Sequence, residues 1–498
     1  MNKILKYILS GLSVILLMGS CDLDKYPYDG VSPEGLWTTT GDTTKLRNGL
    51  YSRLRSVTGG VYYHISNIQG DEFNATVGFG NNGGDMHTWQ FTSSQYDIED
   101  YWQALFSAIT NTNNVINTVD NAAPATPKEQ RDVDRVTAEA YFIRALCYHS
   151  LAIRFAKDYE TGTASSDLGL PILKVYDVNA KPSRASLADT YAFIKEDITE
   201  ARKLLPTISP MTYMSNKSNA LGYLSHDALD LFEARVDLYM HNYSTAVTLA
   251  EKIINKYTMA STKADFNTMW KNDTGSEIIF QPIMTIDERG MSLGVYLQYS
   301  LGSQAYSPYF IPSQWVVDLY EQDKDIRFDT YFWQEKVVSS NQSADDIYVL
   351  AKFPGNPALQ KDGNIYEYYN MHKPLRAAEA YLIAAEASYA GGSEGNALSY
   401  LNDLRKIRGA SEFTSLTGTA LFDQIKNEWI REFIGEGRRM DNLKRWHDGF
   451  QRRAVQNEDI TVPGELFTTF SAQANNIKFV WEIPSNDLSA NKNLEPNW

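Results

Sequence analysis

Alanines spaced twelve residues apart across a tight turn limit what this chain can fold into. In RAAEAYLIAAEASYAGGSEGNALSYLNDLRKIRG, residues 376–409, Ala378, Tyr381, Leu382, Ala385 and Tyr389 recur at spacings of three and four. Residues so spaced share one face of a helix. Gly391 and Gly392 end that helix, because glycine takes a left-handed cap at no steric cost. Ser393 is placed to cap a second helix, with Ala397, Leu401, Leu404 and Ile407 on its inner face. Ala385 and Ala397 then let two antiparallel helices approach closely, as in a tetratricopeptide-type pair.

The device recurs upstream. Ala234 and Ala246 are again twelve apart, around a turn at His241, Asn242 and Tyr243, with Ala250 and Ile253 further along the same face. A third, broken copy pairs a helix at 137–155 with one at 187–206, and an insertion at 156–186 replaces the tight turn. Each pair alone leaves an apolar face uncovered, so the pairs must stack. The expected fold is mostly α: tetratricopeptide-like helix pairs near 137–206, 226–257 and 376–408 form a scaffold. Long irregular loop excursions at 59–96 and 256–372, with a few short strands, hang from it. Strands are expected at 277–284 and 347–353, with a polar loop at 341–344. A capped segment is expected at 32–37, a helix at 43–54, a helix resuming at Asp97, and an irregular C-terminal tail.

The N-terminus reads as an export signal. Lys3 and Lys6 precede an apolar run at 7–18 that is too short to span a bilayer as a mature helix. Gly19 and Ser20 then precede Cys21, a pattern resembling a bacterial lipoprotein signal in which Cys21 is lipidated and becomes the new N-terminus. The plainer alternative is an ordinary signal peptide with a chance cysteine. The domain reading is therefore a signal at 1–20 and a single domain at 21–498. The chain has two cysteines, and a lipidated Cys21 leaves Cys147 without an intramolecular partner. Cys147 reads as a small core residue. Removing residues 1–20 takes away two of 46 basic residues and none of the 61 acidic ones, leaving a net charge of −17. Nucleic acid is a poor partner for such a chain, and the membrane is expected to be met only through the N-terminal lipid.

Motifs of catalysis lack their context. Gly78, Gly80 and Gly83 match the spacing of a dinucleotide-binding loop, but no strand precedes and no helical pattern follows. Gly391, Ser393 and Gly395 match a nucleophile elbow, yet sit between two helices instead of a strand and a helix. Seven histidines are scattered, with no HExxH and no Cys/His cluster, so neither a metal site nor a cofactor is expected. Glu428, Glu432 and Glu436 share a helical face and would repel one another. Arg405, Arg408, Arg439 and Arg445 are the nearby cations expected to neutralise them in a buried network. No catalytic residue is assigned.

The excursions are rich in aromatics beside Asn and Asp. Tyrosine and tryptophan offer flat apolar faces with a polar handle, and Asn and Asp hydrogen-bond hydroxyls. Sugars present apolar C–H faces ringed by hydroxyls, so this mixture suits carbohydrate. Satellite core beneath long loops is the alternative reading of the same aromatics.

Taken together, several segments in order resemble the SusD/RagB family of outer-membrane nutrient-binding lipoproteins of Bacteroidetes. They are CDLDKYP and SPEGLW near the start, TAEAYFIRALCYHSLAIRF, RASLADTYAFIKEDITEARKLLP, RAAEAYLIAAEA, LNDLRKIRG, EFIGEGRRMDNLKRW and the terminal IP and NW. The chain departs from the family's usual pattern at Trp429 and Asn442, positions that read as structural. The resemblance implies a tetratricopeptide-like scaffold and a lipid-anchored place on the outer-membrane surface. It also implies carbohydrate binding for nutrient uptake and polysaccharide utilisation, with delivery of the glycan to a SusC-type TonB-dependent transporter and no catalysis. Peptide uptake and a surface glycoside hydrolase are the rival functions.

The site is expected in two loops, 71–96 and 296–309. Trp89, flanked by polar residues and outside any apolar stripe, is expected to be an exposed stacking platform. Phe79 and Tyr96 lie in the same loop, and Tyr296, Tyr299, Tyr306 and Tyr309 would form the opposite wall. Asp71, Asn81 and Asn82 are the expected hydroxyl partners.

Overall fold

The computed structural model describes residues 36–37, 42–175, 177, 179–214, 217–363 and 366–498. Residues 1–20, Cys21 and most of the 32–37 segment lie outside the described residues. Helices dominate: α1 (Asp42–Val57), α2 (Val61–Gln69), α3 (Tyr96–Thr118), α4 (Pro127–Phe155), α5 (Leu187–Leu204), α6 (His226–Tyr239), α7 (Tyr243–Ile254), α8 (Lys263–Asn272), α9 (Ala377–Ala390), α10 (Glu394–Ile407), α11 (Gly418–Phe433) and α12 (Arg439–Arg445). The strands used below are β1 (Phe73–Ala75), β2 (Ile278–Phe280), β3 (Tyr299–Ser300), β4 (Ala305–Tyr306), β5 (Phe310–Pro312), β6 (Phe332–Ser339), β7 (Gln342–Leu350) and β8 (Leu375–Arg376).

The three helix pairs form as expected: α4 packs on α5, α6 on α7 and α9 on α10, and α7 joins the second pair to the third through α9. Ala234, Ala246, Ala385 and Ala397 are fully buried. The two tight turns are copies of each other. The amide of Asn242 donates to the Asp237 carbonyl at 2.8 Å, and the amide of Ser393 donates to the Ser388 carbonyl at 2.8 Å. His241 (φ 60°) stands in one turn where Gly392 (φ 82°) stands in the other, both left-handed. Gly391 is not left-handed, and Ser393 makes no side-chain cap, so glycine geometry and backbone bonds close this turn instead. Real side-chain caps stand elsewhere. Thr126 and Glu129 form a capping box ahead of Pro127 at the start of α4, and Ser186 and Ser225 cap α5 and α6.

The excursions hold more regular structure than expected. Helix α2 lies within a stretch read as irregular. Tyr62, Ile65, Ile68, His64, Asn67 and Gln69 are all buried, so the helix has no polar face to give it a period. The 277–284 strand shortens to β2, paired with β8. The 347–353 strand is real but begins earlier, because β7 pairs antiparallel with β6 from Gln342 onward. The expected loop at 341–344 therefore reduces to a turn with Ser340 at φ 55°. The C-terminal tail carries a short helix, Ser485–Ala490, and buries Trp481. Cys147 is a free, fully buried thiol, and burial pushes its pKa up to about 12.

Glu428, Glu432 and Glu436 are buried in an ion network. Glu428 meets Arg327 at 2.7 Å, Arg431 at 2.7 Å and Arg405 at 2.9 Å. Glu432 meets Arg327 at 2.9 Å, Arg408 at 2.8 Å and also Arg376. Glu436 meets Lys352 at 2.6 Å and Arg376 at 2.8 Å. Two of the four expected cations serve elsewhere: Arg439 pairs with Asp71 and Arg445 with Glu386. Their helix, α12, turns away from α11 at Gly435 and Gly437, both left-handed. A Cβ at Gly437 would lie 3.2 Å from the Tyr63 Cα, so this turn accepts little else.

Burial by itself would raise the Glu428 carboxyl, but Arg327, Arg431 and Arg405 overcome it and hold the pKa down to about 2. A carboxyl depressed in the fold stabilises above its unfolded value of about 4.3 and loses that contribution as pH falls toward the folded value. The urea midpoint of the wild type is therefore expected to drop between about pH 4.3 and pH 2. Glu428→Gln leaves guanidinium charge uncompensated, which costs about 3–5 kcal/mol at neutral pH. Its acid dependence in the same window should be shallower, as parallel urea titrations would measure.

Candidate functional site

Two short strands join the excursions. Strand β1 pairs antiparallel with β5, setting Phe73 opposite Pro312 and Ala75 opposite Phe310. The amide of Thr76 continues the ladder onto the Tyr309 carbonyl at 2.9 Å. Beyond it, the Gly78 amide donates to Ser339 Oγ at 2.7 Å, which lays the 78–83 loop against the end of β6. The two stretches expected to carry the site are thus neighbours in space. Of the ten residues expected to form it, only some remain accessible.

Trp89 is a correction. It is 5% exposed, with its ring at centroid distances of 5.1 Å from Phe479, 5.6 Å from Phe450 and 5.7 Å from Phe470. Its indole N–H donates to the Gln69 carbonyl at 2.8 Å. The backbone there is left-handed, at φ 59°, after the single turn Gly84–His87. That reversal carries the ring inward although the sequence around it is polar. His87 and Thr88, two of the flanking polar residues, are buried as well.

Asp71, Phe79 and Tyr296 are also buried, so none offers a surface to a ligand. The Asp71 carboxylate accepts from Arg439 at 2.7 and 3.0 Å, and its carbonyl accepts from Ser313 and Trp315. Phe79 packs between Phe310 and Phe467. The Tyr296 hydroxyl accepts from Asn67 at 3.1 Å and lies 3.0 Å from His64 Nδ1. Tyr96 is 73% exposed but opens helix α3, away from the sheet strands.

The residues left at the surface form a coherent patch. Strands β3, β4, β6 and β7 make one four-stranded sheet in that order. Tyr299 and Tyr306 face each other across β3 and β4, with ring centroids 5.1 Å apart and planes at 74°. Tyr366 lies 5.0 Å from Tyr299, and Trp333 of β6 lies 6.3 Å from Tyr306. Tyr366 is 57% exposed, while Tyr299, Tyr306 and Trp333 are half-buried. The Tyr299 amide donates to the Tyr368 hydroxyl at 2.8 Å, which fixes the strand beneath its ring. Burial raises the Tyr306 hydroxyl above its usual range and the Glu335 carboxylate adds to this, so Tyr306 stays a neutral phenol that can donate and accept. Asn81 and Asn82 are exposed on the adjoining loop, and Tyr309 is half-buried between the two excursions.

Tyr366 and Trp333 were not singled out from the sequence. The run Tyr366, Tyr368, Tyr369 was the available signal, as dense in tyrosine as the stretch that was chosen. Chemically, the patch offers edge-packed flat rings, several hydroxyls and one carboxylate. Among the described residues, the patch holds no three His, Cys, Asp or Glu ligand atoms close enough to share an ion.

Comparison with known proteins bears on fold and family. A model of the SusD family matches residues 247–498, slightly more than half of the chain. A second model, described as starch-binding associating with outer membrane, matches residues 55–229. SusD-like protein P2 of Formosa agariphila is 25% identical, covering 99% of both chains. A crystal structure of a SusD superfamily protein from Bacteroides thetaiotaomicron superposes with a TM-score of 0.76 at 23% identity, over 92% of this chain and 100% of that one. A putative sugar binding protein from Bacteroides vulgatus gives 0.73 at 24% identity, over 92% and 98%. At such identities the solved structures support the mostly helical fold. Among the described residues, no helix is long and apolar enough to cross a membrane.

Burial of Trp89 makes a sharp expectation. Trp89→Ala removes a packed ring and orphans the Gln69 carbonyl, at a cost of about 3–5 kcal/mol. Its melting temperature by circular dichroism should fall by many degrees. Ligand affinity of the protein that remains folded should be unchanged.

Proposed function

The chain belongs to the SusD family, and from that premise we propose that it binds a glycan at the cell surface on the Tyr299, Tyr306 and Tyr366 patch. The observation that carries this reading is the mutual packing of these rings on a sheet surface. A sugar ring stacks its C–H face on such a ring, and the neighbouring phenol and amide groups meet its hydroxyls. Asn81 and Asn82, exposed on the loop that Gly78 holds against the end of β6, are the proposed polar partners. The likeness to a putative sugar binding protein, and to a family described as starch-binding, supports the same class of ligand.

Binding proceeds without chemical change. A glycosidase sets two carboxyl groups about 5–9.5 Å apart across a sugar cleft. Here the conspicuous carboxylates, Glu428, Glu432 and Glu436, are sealed in the core by arginines and a lysine, which supports capture over hydrolysis. Delivery then falls to a SusC-type TonB-dependent transporter in the outer membrane, with Cys21 as the lipid anchor and residues 1–20 as the removed signal. The remainder, 21–498, acts as one domain.

Tyr306→Ala and Tyr366→Ala should each weaken glycan affinity by about tenfold, within the ~1–3 kcal/mol of a binding hot spot, and leave the melting temperature nearly unchanged. Affinity electrophoresis against a panel of polysaccharides would measure this. Shortening of the glycan in the same incubation would establish a hydrolase instead. Binding that survives both substitutions would move the site elsewhere. Palmitate labelling should be lost in Cys21→Ala, and the transporter should co-purify from outer membranes.

A further inference from the structure

Four side chains converge where three helices end, remote in sequence from one another. Asp158 and Glu160 follow the end of α4, His241 follows α6 and His447 follows α12. His447 Nε2 lies 2.9 Å from Glu160 Oε1 and 3.7 Å from Asp158 Oδ2. His241 Nε2 lies 3.9 Å from the same Asp158 Oδ2, and its Nδ1 lies 4.0 Å from Glu160 Oε2. Both histidines adopt left-handed backbone, at φ 60° and 52°, which turns each ring off its helix end.

One atom in this cluster is in an unusual state. Asp158 is 8% exposed, and its Oδ2 is buried with no hydrogen-bond partner. A buried carboxylate oxygen without a donor is costly, and natural folds seldom leave one. The neighbouring cations are engaged elsewhere: Lys444 donates to the carbonyls of Ile153 and Ala156, and Arg445 pairs with Glu386.

We propose that Asp158, Glu160 and His447 bind a divalent transition cation of the zinc class, with solvent in the fourth position and His241 beside the site. Zinc holds imidazole nitrogen and carboxylate oxygen at about 2.0–2.2 Å, so the ligand atoms of a tetrahedral site are about 3.3–3.6 Å apart. The observed separations of 2.9 and 3.7 Å lie on either side of that edge. Two carboxylates balance the charge of a divalent ion. The imidazole favours zinc over calcium, which takes oxygen ligands. His447 is exposed and gives the ion a path in from solvent. Among the described residues, Asp158, Glu160 and His447 are the one group of at least three potential ligands whose atoms all lie this close together. Bound there, the ion ties the segment after α4 to the end of α12, with His241 at the end of α6 packed against it.

The test is calorimetric titration of the metal-stripped full chain with zinc chloride, with calcium chloride as a parallel arm. One site per chain is expected for zinc, with a rise in melting temperature that chelator reverses. His447→Gln and Asp158→Asn should each weaken zinc binding at least tenfold and abolish that rise. Because the Asp158 position is buried, the double variant His241→Gln/His447→Gln serves as the fold-preserving control, with far-ultraviolet circular dichroism to verify it. The proposal is overturned if the wild type takes up no zinc. It is equally overturned if the double variant binds zinc as the wild type does, or if calcium binds at this site in preference.

Discussion

The buried pairing of Glu432 with Arg327, Arg376 and Arg408 is the contact on which the rest of this structure depends. Burying one charge costs several kcal/mol, and only complete pairing offsets it. The network meets that condition with cations drawn from four separate parts of the chain. Arg408 closes α10 and also bonds Glu277, just before β2. Arg376 belongs to β8. Arg327 lies shortly before β6, and Lys352 lies just after β7. Both roots of the β6–β7 hairpin are therefore fixed by charge, one to α11 and the other to Glu436 in the bend that follows it. Two tyrosine hydroxyls add to the same anchorage: Tyr320 donates to the Arg431 carbonyl at 2.7 Å and Tyr331 to that of Glu432 at 3.2 Å.

The first excursion is held by the same region. Arg439, one turn past the glycine-rich bend, binds Asp71. The Gly437 amide donates to Asn67 Oδ1 at 2.7 Å, and Arg452 reaches the Gly70 and His87 carbonyls. The segment EFIGEGRRMDNLKRW thus works as a hub. Glutamates on its first part hold the second excursion, and the Gly437 amide and Arg439 on its second part hold the first. Charge is the suitable means, because irregular segments lack the apolar stripes by which helices find one another.

This arrangement explains what could be read from the sequence. The helix pairs were legible because the second helix of each buries one face and leaves the other wet, and because close approach demands alanine at 234, 246, 385 and 397. Helix α2 was not legible, since it is buried on several sides and its polar residues, His64, Asn67 and Gln69, point into protein. Although only Glu428 and Glu432 lie on α11 and Glu436 stands in the bend beyond it, the acidic residues were recognisable as part of a buried network. Which arginines complete it was not, because Arg327 and Arg376 come from distant segments and no local spacing marks them. Trp89 misled for a related reason: polar neighbours suggest exposure only while the chain stays extended, and a left-handed residue reverses it. The strands around Tyr299 and Tyr306 were in the expected stretch, yet Trp333 joins them through sheet pairing and Tyr366 through a ring contact from outside the sheet.

A platform of half-buried tyrosines differs physically from one exposed tryptophan. Each ring in the patch is braced edge-on by a neighbour, and Tyr299 is tied through its amide to Tyr368. A ligand stacking on the proposed site would find little rotamer freedom left to lose, so more of the stacking energy would appear as affinity. Bracing depends on the strands keeping their register, and register in turn depends on where β6 and β7 are rooted. The parallel pairing of Tyr306 with Val337 lies between those roots and the exposed rings. The charge network, sealed from solvent and far from any ligand in the sequence, therefore acts on the surface through the sheet. It sets the position of β6, β6 sets that of β4, and β4 sets the angle at which Tyr306 meets Tyr299. Rigidity in this molecule is generated in its most polar interior and delivered to its most aromatic exterior.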